Sequence, residues 1–262
     1  MNHSAQPSRP DDGPAPLREA ATILLVRPAD EGRSPGVEVL TLTRSTGLVF
    51  SAGATAFPGG RIESADRSPE EAAVRETFEE TGILMALRSD GTPAAEELTA
   101  IPVDAQARIE EQAELFIPFL QERGLVPDVA SMHLLSRWVT PEGEPRRYDT
   151  SFYVAAVPAG QEPIQLSGES VSWQWLTPQG ALEDFRAGRR FLMPPTWAQL
   201  RALAQAASVE QALDLPAAPE PVTSRVAGAK PRRVIDFPDH EVYAEDAARF
   251  HAAKPRPADR QS

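Results

Sequence analysis

Residues 59–83 read GGRIESADRSPEEAAVRETFEETGI, and the second half of that stretch sets the central helix. Ser68 is an N-cap residue, Pro69 suits the first helical position, and Glu71 stands at the third. Gly82 supplies the stop, because glycine takes the left-handed conformation that closes a helix. The spacing predicts a helix from about Pro69 to Thr81. At about 100° per residue, with Glu76 as origin, Glu79 falls near 300° and Glu80 near 40°. Val74, Thr77, Phe78 and Thr81 fall roughly between 100° and 200° on the same wheel. One face is a carboxylate cluster, and the opposite face packs into the protein.

Like charges three and four residues apart repel by about 0.2–0.5 kcal/mol per exposed pair. A hard divalent cation removes that penalty, since carboxylates are the ligands Mg²⁺ and Mn²⁺ prefer. A solvated acidic face, partly neutralised by Arg75, satisfies the same pattern, so the helix alone leaves both readings open. Gly59 and Gly60, just upstream, permit a tight turn whose backbone can approach a metal or a phosphate.

Working outward, 21–27 is rich in β-formers, 37–44 alternates apolar and polar side chains, and 54–57 is a further short strand. Beyond the helix, 104–123 reads as helical, with Pro118 expected to kink or restart it. Strands are expected at 132–140, 148–157 and 171–176, and helices at 178–187 and 196–206. From Pro216 onward, seven prolines and weak periodicity predict a tail that is extended or partly disordered. The expected organisation is a flexible leader at 1–17 and an α/β domain at 18–207 that includes a mainly helical insertion at 88–130. A C-terminal extension follows at 208–262.

The 262 residues are 41% hydrophobic, enough for a core, and 26 Lys+Arg against 38 Asp+Glu give a net charge of -12. That field repels polyanions, so neither nucleic acid nor an anionic membrane is an expected partner. The absence of cysteine excludes disulfides, thiolate zinc sites, iron–sulfur clusters and cysteine nucleophiles. No apolar run approaches the ~18–20 residues of a membrane span, and the first residues lack a signal-peptide pattern. The expected setting is soluble and cytoplasmic.

The stretch quoted above closely resembles the Nudix box, G-x5-E-x7-R-E-U-x-E-E-x-G-U, where U is aliphatic. Arg75 to Ile83 fits at every fixed position except that Thr77 replaces an aliphatic residue. Asp66 stands where the box has its first glutamate, and one extra residue precedes Arg75, which makes the box 24 residues long instead of 23. The resemblance implies an α/β/α sandwich with a mixed sheet, and a hydrolase that splits a nucleoside diphosphate linked to another moiety. It implies Mg²⁺ or Mn²⁺ held by Glu79 and Glu80 with the carbonyl of Gly59. Glu76 would act as ligand or base, and Arg75 would orient the cluster through charge-assisted hydrogen bonds. A further carboxylate base from a later loop is expected at Glu169, which reads equally as an ordinary loop glutamate.

Residues 40–66, 76–86 and 137–158 also look like the coenzyme A/acyl-CoA diphosphatase Nudix proteins, nearest the nudix-motif-19-like branch. That likeness spans roughly 19–205 and implies CoA or acyl-CoA as substrate. Arg44, Arg61, Arg137, Arg146 and Arg147 flank the matching segments. Of these, Arg44, Arg61, Arg146 and Arg147 are the candidate substrate contacts, Arg146-Arg147 foremost, because guanidinium binds phosphate bidentately. Salt bridges to neighbours such as Asp149 are the competing reading. ADP-ribose, NADH and nucleoside triphosphates are alternative substrates, and a non-catalytic Nudix-fold sensor is an alternative of another class. The expected partner is a small nucleotide diphosphate; oligomeric state is left open, a homodimer included. His3, His133, His240 and His251 lack metal-ligand spacing, and the four tryptophans read as core or strand-face residues.

Overall fold

The computed structural model describes residues 15–29, 36–43, 54–94, 97, 101–102, 104–164, 172–223, 225–227 and 234–253. In chain order the first elements are β1 (Leu17–Pro28), β2 (Val37–Thr43), β3 (Ala54–Ala56), β4 (Gly59–Arg61), α1 (Pro69–Thr81) and β5 (Ala86–Arg88). An inserted segment carries α2 (Ala105–Glu111), a 3₁₀ turn at Ala113–Leu115, α3 (Phe116–Gln121) and β6 (Leu125–Pro127). Then come β7 (His133–Val139), β8 (Arg147–Ala156), β9 (Ser172–Leu176), α4 (Pro178–Arg186), β10 (Phe191–Leu192) and α5 (Pro194–Leu203). The last elements are α6 (Val209–Leu213), β11 (Ala218–Thr223), β12 (Arg225–Ala227), β13 (Val234–Asp236) and α7 (His240–Ala253).

Among the described residues, nine strands form one mixed sheet of order β10-β3-β2-β1-β8-β7-β11, with β4 beside β1 and β9 beside β2. β1 and β8 run parallel over ten paired residues, whereas β2 and β4 meet β1 antiparallel. Strand side chains alternate between faces. On β1, Ala21, Ile23 and Leu25 therefore enter one core, and Leu24 and Val26 enter the other. α1 with the inserted helices covers the first face, and α4, α5 and α7 cover the second. That is an α/β/α sandwich, as the resemblance implies.

β1 has two neighbours on one edge. Its first half pairs with β4, with Ala21 opposite Gly60 and Thr22 opposite Gly59, and its last residues pair with β2. Gly59 makes this possible. Its φ is +149°, and a Cβ there would stand 2.4 Å from the Ala21 carbonyl oxygen, so only glycine fits. The arrangement delivers the chain to α1 directly over the sheet.

Two differences from the sequence reading have physical causes. The helical insertion breaks at Gln112, not at Pro118, and restarts at Phe116. Pro118 then lies in the first turn of α3, where a missing N–H goes unused. Phe116 and Phe119 stack against Phe78 of α1 at centroid distances of 6.4 and 5.8 Å, so the insertion completes the first core.

The tail from Pro216, expected to be extended or partly disordered, contains α7. That helix seats Tyr243, Ala247 and Phe250 in the second core. Its stripe is interrupted by Asp246, buried at 3% exposure, which accepts from Arg186 at 2.8 Å and from the Trp197 indole at 3.1 Å. A carboxylate in the middle of the buried face hides the periodicity. Among the described residues, no helix is long and apolar enough to cross a membrane.

Candidate active site

The predicted caps are present. Ser68 Oγ accepts from the Glu71 N–H at 3.2 Å, and Gly82 closes the helix at φ +76° with its N–H on the Phe78 carbonyl. Thr77, where the box has an aliphatic residue, is fully buried and returns its hydroxyl to the Ala73 carbonyl at 2.7 Å. The polar atom is satisfied within the helix, and the methyl group remains for packing.

Arg75 is 2% exposed and spends all five of its N–H donors. Nε and Nη2 hold the two oxygens of Asp66, each at 2.9 Å, and Nη2 also reaches the Arg61 carbonyl at 3.0 Å. Nη1 bridges Glu76 at 3.1 Å and Glu79 at 3.0 Å. Asp66 thus takes the place of the first glutamate of the box. Asp66 also closes a tight turn just upstream of it, in which its N–H bonds the Glu63 carbonyl and the Glu63 N–H bonds its Oδ2 at 2.8 Å.

The three helix carboxylates are held differently. Glu76 lies over Gly60, where a Cβ would stand 2.4 Å from its Oε2. Glu80 accepts the Gly59 N–H at 2.9 Å. Glu79 is buried. Burial raises Glu76 above the ordinary carboxylate range despite the Arg75 charge beside it. Burial, with the charge of Glu76 added, pushes Glu79 up to about 7 against the pull of Arg75. Burial also works against the Arg75 charge, but the Asp66 bond and the Glu76 and Glu79 charges more than offset it and hold the guanidinium protonated.

An opening of about 610 Å³ faces this cluster, and its far wall is Glu110, Glu111 and Ala113 from the insertion. Sequence spacing offered no signal for Glu110 and Glu111, which lie well beyond the end of the box at Ile83. Among the described residues, no three acidic or histidine side chains stand ready as a metal cage. Arg75 draws Glu76 and Glu79 together, while Glu80 turns to Gly59. The donor chemistry nonetheless suits a hard divalent cation, because three carboxylates share one helical face over a glycine backbone that leaves them room.

Arg61, Arg146 and Arg147 come together in a second cleft of about 490 Å³, joined there by Arg18 and Tyr148. Arg137 does not join them; it grips Asp149 with Nε at 2.7 Å and Nη2. Arg44 and Glu169 lie outside the described residues. Trp175 is wedged under Arg27, 4.1 Å from its ring, and donates to Glu162, while Trp138 and Trp197 are core.

Comparisons with known proteins agree with this fold. A model of the NUDT19 Nudix domain matches residues 71–203, and a NUDIX domain model matches 16–116. The chain belongs to the Nudix hydrolase family, and its class is that of a Nudix-type diphosphatase. It is similar to the acyl-coenzyme A diphosphatase NUDT19 of Gallus gallus, with 28% identity covering 70% of this chain and 67% of that one. The Homo sapiens protein of the same name is 25% identical over 75% of this chain and 71% of its own. The crystal structure of a NUDIX hydrolase from Alicyclobacillus acidocaldarius superposes with a TM-score of 0.70 at 27% identity, covering 78% of this chain and 98% of that one.

Proposed function

We propose that this chain hydrolyses the diphosphate linkage of a nucleotide-containing metabolite, with CoA or acyl-CoA as its substrate. CoA and water would give 3′,5′-ADP and 4′-phosphopantetheine, or its acyl form. The observation that carries the reading is the Arg75 guanidinium, which binds Asp66, Glu76 and Glu79 at once on the helix that also bears Glu80. The likeness to acyl-coenzyme A diphosphatases supports the substrate class.

Glu76, Glu79 and Glu80, with the Gly59 carbonyl, would hold Mg²⁺ or Mn²⁺. A bound cation of this kind neutralises the diphosphate and lowers the pKa of water. Arg75 holds the carboxylates in place and limits their mutual repulsion. Water attacks one phosphorus, the bridging oxygen leaves with the other phosphate, and the water proton passes to a carboxylate. Glu76 or Glu169 is assigned that proton. Arg61, Arg146 and Arg147, with Arg44, are assigned to substrate phosphate oxygens.

The test is incubation of the purified chain with CoA and Mg²⁺ or Mn²⁺, products identified by mass, and Glu80→Gln as control. Metal-dependent 3′,5′-ADP and 4′-phosphopantetheine, absent in the variant, are expected. Turnover of ADP-ribose, NADH or a nucleoside triphosphate instead would keep the chemistry and replace the substrate. Silence across all of them, in folded protein, would favour a ligand sensor.

A further inference from the structure

Gln106 is an amide in the middle of an apolar stripe. Its neighbours on the buried side of α2, Ala105 and Ile109, are 2% exposed, and Gln106 itself is 4% exposed. Its Nε2 donates to the Phe78 carbonyl of α1 at 2.8 Å. That oxygen already has its helix partner, the Gly82 N–H at 2.9 Å. A leucine at 106 would therefore have left the carbonyl paired, and burying an amide in its place costs desolvation. Satisfying the helix does not by itself account for the bond.

What the bond grips is the peptide unit between Phe78 and Glu79. The Phe78 carbonyl and the Glu79 N–H lie in one rigid plane, so holding the oxygen holds the plane from which Glu79 projects. Gly82 gives the amide its room, since a Cβ there would stand 3.0 Å from Gln106 Nε2. The same glycine ends α1 and admits α2.

Charge explains the choice of an amide. The last turn of α1 carries Glu79 and Glu80 and no basic residue, although the negative end of a helix favours cations. A lysine or arginine at 106 would serve that end, but it would also pair with the carboxylates beside the opening. An amide supplies an N–H without a charge. Gln106 also sets the far wall. Glu110 follows it by one turn on the same side of α2, and lines the opening across from Glu76 and Glu79.

We propose that Gln106 is a positioning residue of this site. Its bond to the Phe78 carbonyl fixes Glu79 against the insertion, and so sets how tightly the carboxylate face of α1 holds a divalent cation. The inference rests on the proposed function and gives the insertion a part in it.

The full chain and three variants are titrated calorimetrically with Mn²⁺ in the absence of substrate, and their steady-state rates on CoA are measured. Gln106→Met keeps the length of the side chain and removes the donor, whereas Gln106→His restores a ring N–H. Gln199→Met is the matched control, because Gln199 of α5 is 2% exposed and donates to Ser136 Oγ at 2.6 Å. Gln106→Met should bind Mn²⁺ about tenfold more weakly and lose a similar factor in kcat, with KM unchanged. Gln106→His should recover most of both. Gln199→Met should lower the melting temperature alone. Unaltered Mn²⁺ affinity in Gln106→Met overturns the proposal, as does a parent chain that binds no Mn²⁺. So does an equal loss of affinity in Gln199→Met, or a Gln106→His protein as impaired as Gln106→Met. Mn²⁺ affinity that follows the Gln106 bond, in a chain that turns over no diphosphate, would sustain the positioning role and fault the proposed function instead.

Discussion

Asp66 holds Arg75 with both carboxylate oxygens, Oδ1 on Nε and Oδ2 on Nη2, each at 2.9 Å. The pair is buried on both sides, with the side chains 3% and 2% exposed. Removing one partner of a buried ion pair strands the other, at a cost of about 3–5 kcal/mol. Asp66→Ala should therefore lower unfolding free energy by roughly that amount in urea titrations. Asp66→Asn, which keeps one acceptor, should lose less. An Asp66→Ala protein as stable as the parent would show that the bond does not hold the loop.

Gly59 and Gly60 should respond to alanine in opposite ways. At Gly59 the new Cβ meets backbone, and φ is +149°, so Gly59→Ala should cost about 1–3 kcal/mol of stability. At Gly60 its nearest neighbours are the carboxylate atoms of Glu76, at the end of a side chain that can swing aside. Gly60→Ala should keep its melting temperature and lose tenfold or more in kcat. Thermal melts and steady-state rates on the two variants separate these effects.

Glu79 predicts a pH dependence of the protein without divalent metal. Its carboxyl titrates near 7 in the fold against an ordinary 4.5, so between those values the unfolded chain has released a proton that the folded chain keeps. Stability must then fall as pH rises through that window. Glu79→Gln cannot ionise, and its melting temperature relative to the parent should climb from pH 4.5 to 7. A constant difference between the two proteins would contradict the buried carboxyl.

Thr77→Val should be close to neutral, within about 1 kcal/mol. The hydroxyl it removes bonds the helix's own Ala73 carbonyl, and the side chain is fully buried. Chemical denaturation would decide the point, and a loss of several kcal/mol would reveal a partner for Thr77 beyond the helix.

α1 was legible in the sequence because its signals are local: Ser68, Pro69 and Gly82 specify its ends whatever surrounds them. β1 was legible because both faces of the sheet are buried, which writes Ile23 to Val26 as one apolar run, and β2 because its Val and Leu residues are spaced by Glu38, Thr41 and Thr43. The role of Asp66 was not legible, since the surplus residue between it and Arg75 looks like a broken motif until the fold puts both of its oxygens on the Arg75 guanidinium. Arg18 was invisible for another reason. Nothing near it in the chain marks it, and only the pairing of β1 with β4 and β8 brings it to Arg61 and Tyr148. Glu110 and Glu111 likewise reach the acidic opening only through the packing of α2 onto α1.

α7 carries a consequence for biosynthesis. The face of the sheet opposite α1 receives Phe250 and the buried Asp246 only from residues at the far end of the described chain. A nascent chain that has already emerged through α5 still presents Phe185 and Trp197 uncovered, with Arg186 lacking its acceptor. Such intermediates are the species most exposed to aggregation and to chaperone capture. Synthesis must run past residue 250 before that half of the enzyme can close, although every carboxylate of α1 left the ribosome some 170 residues earlier.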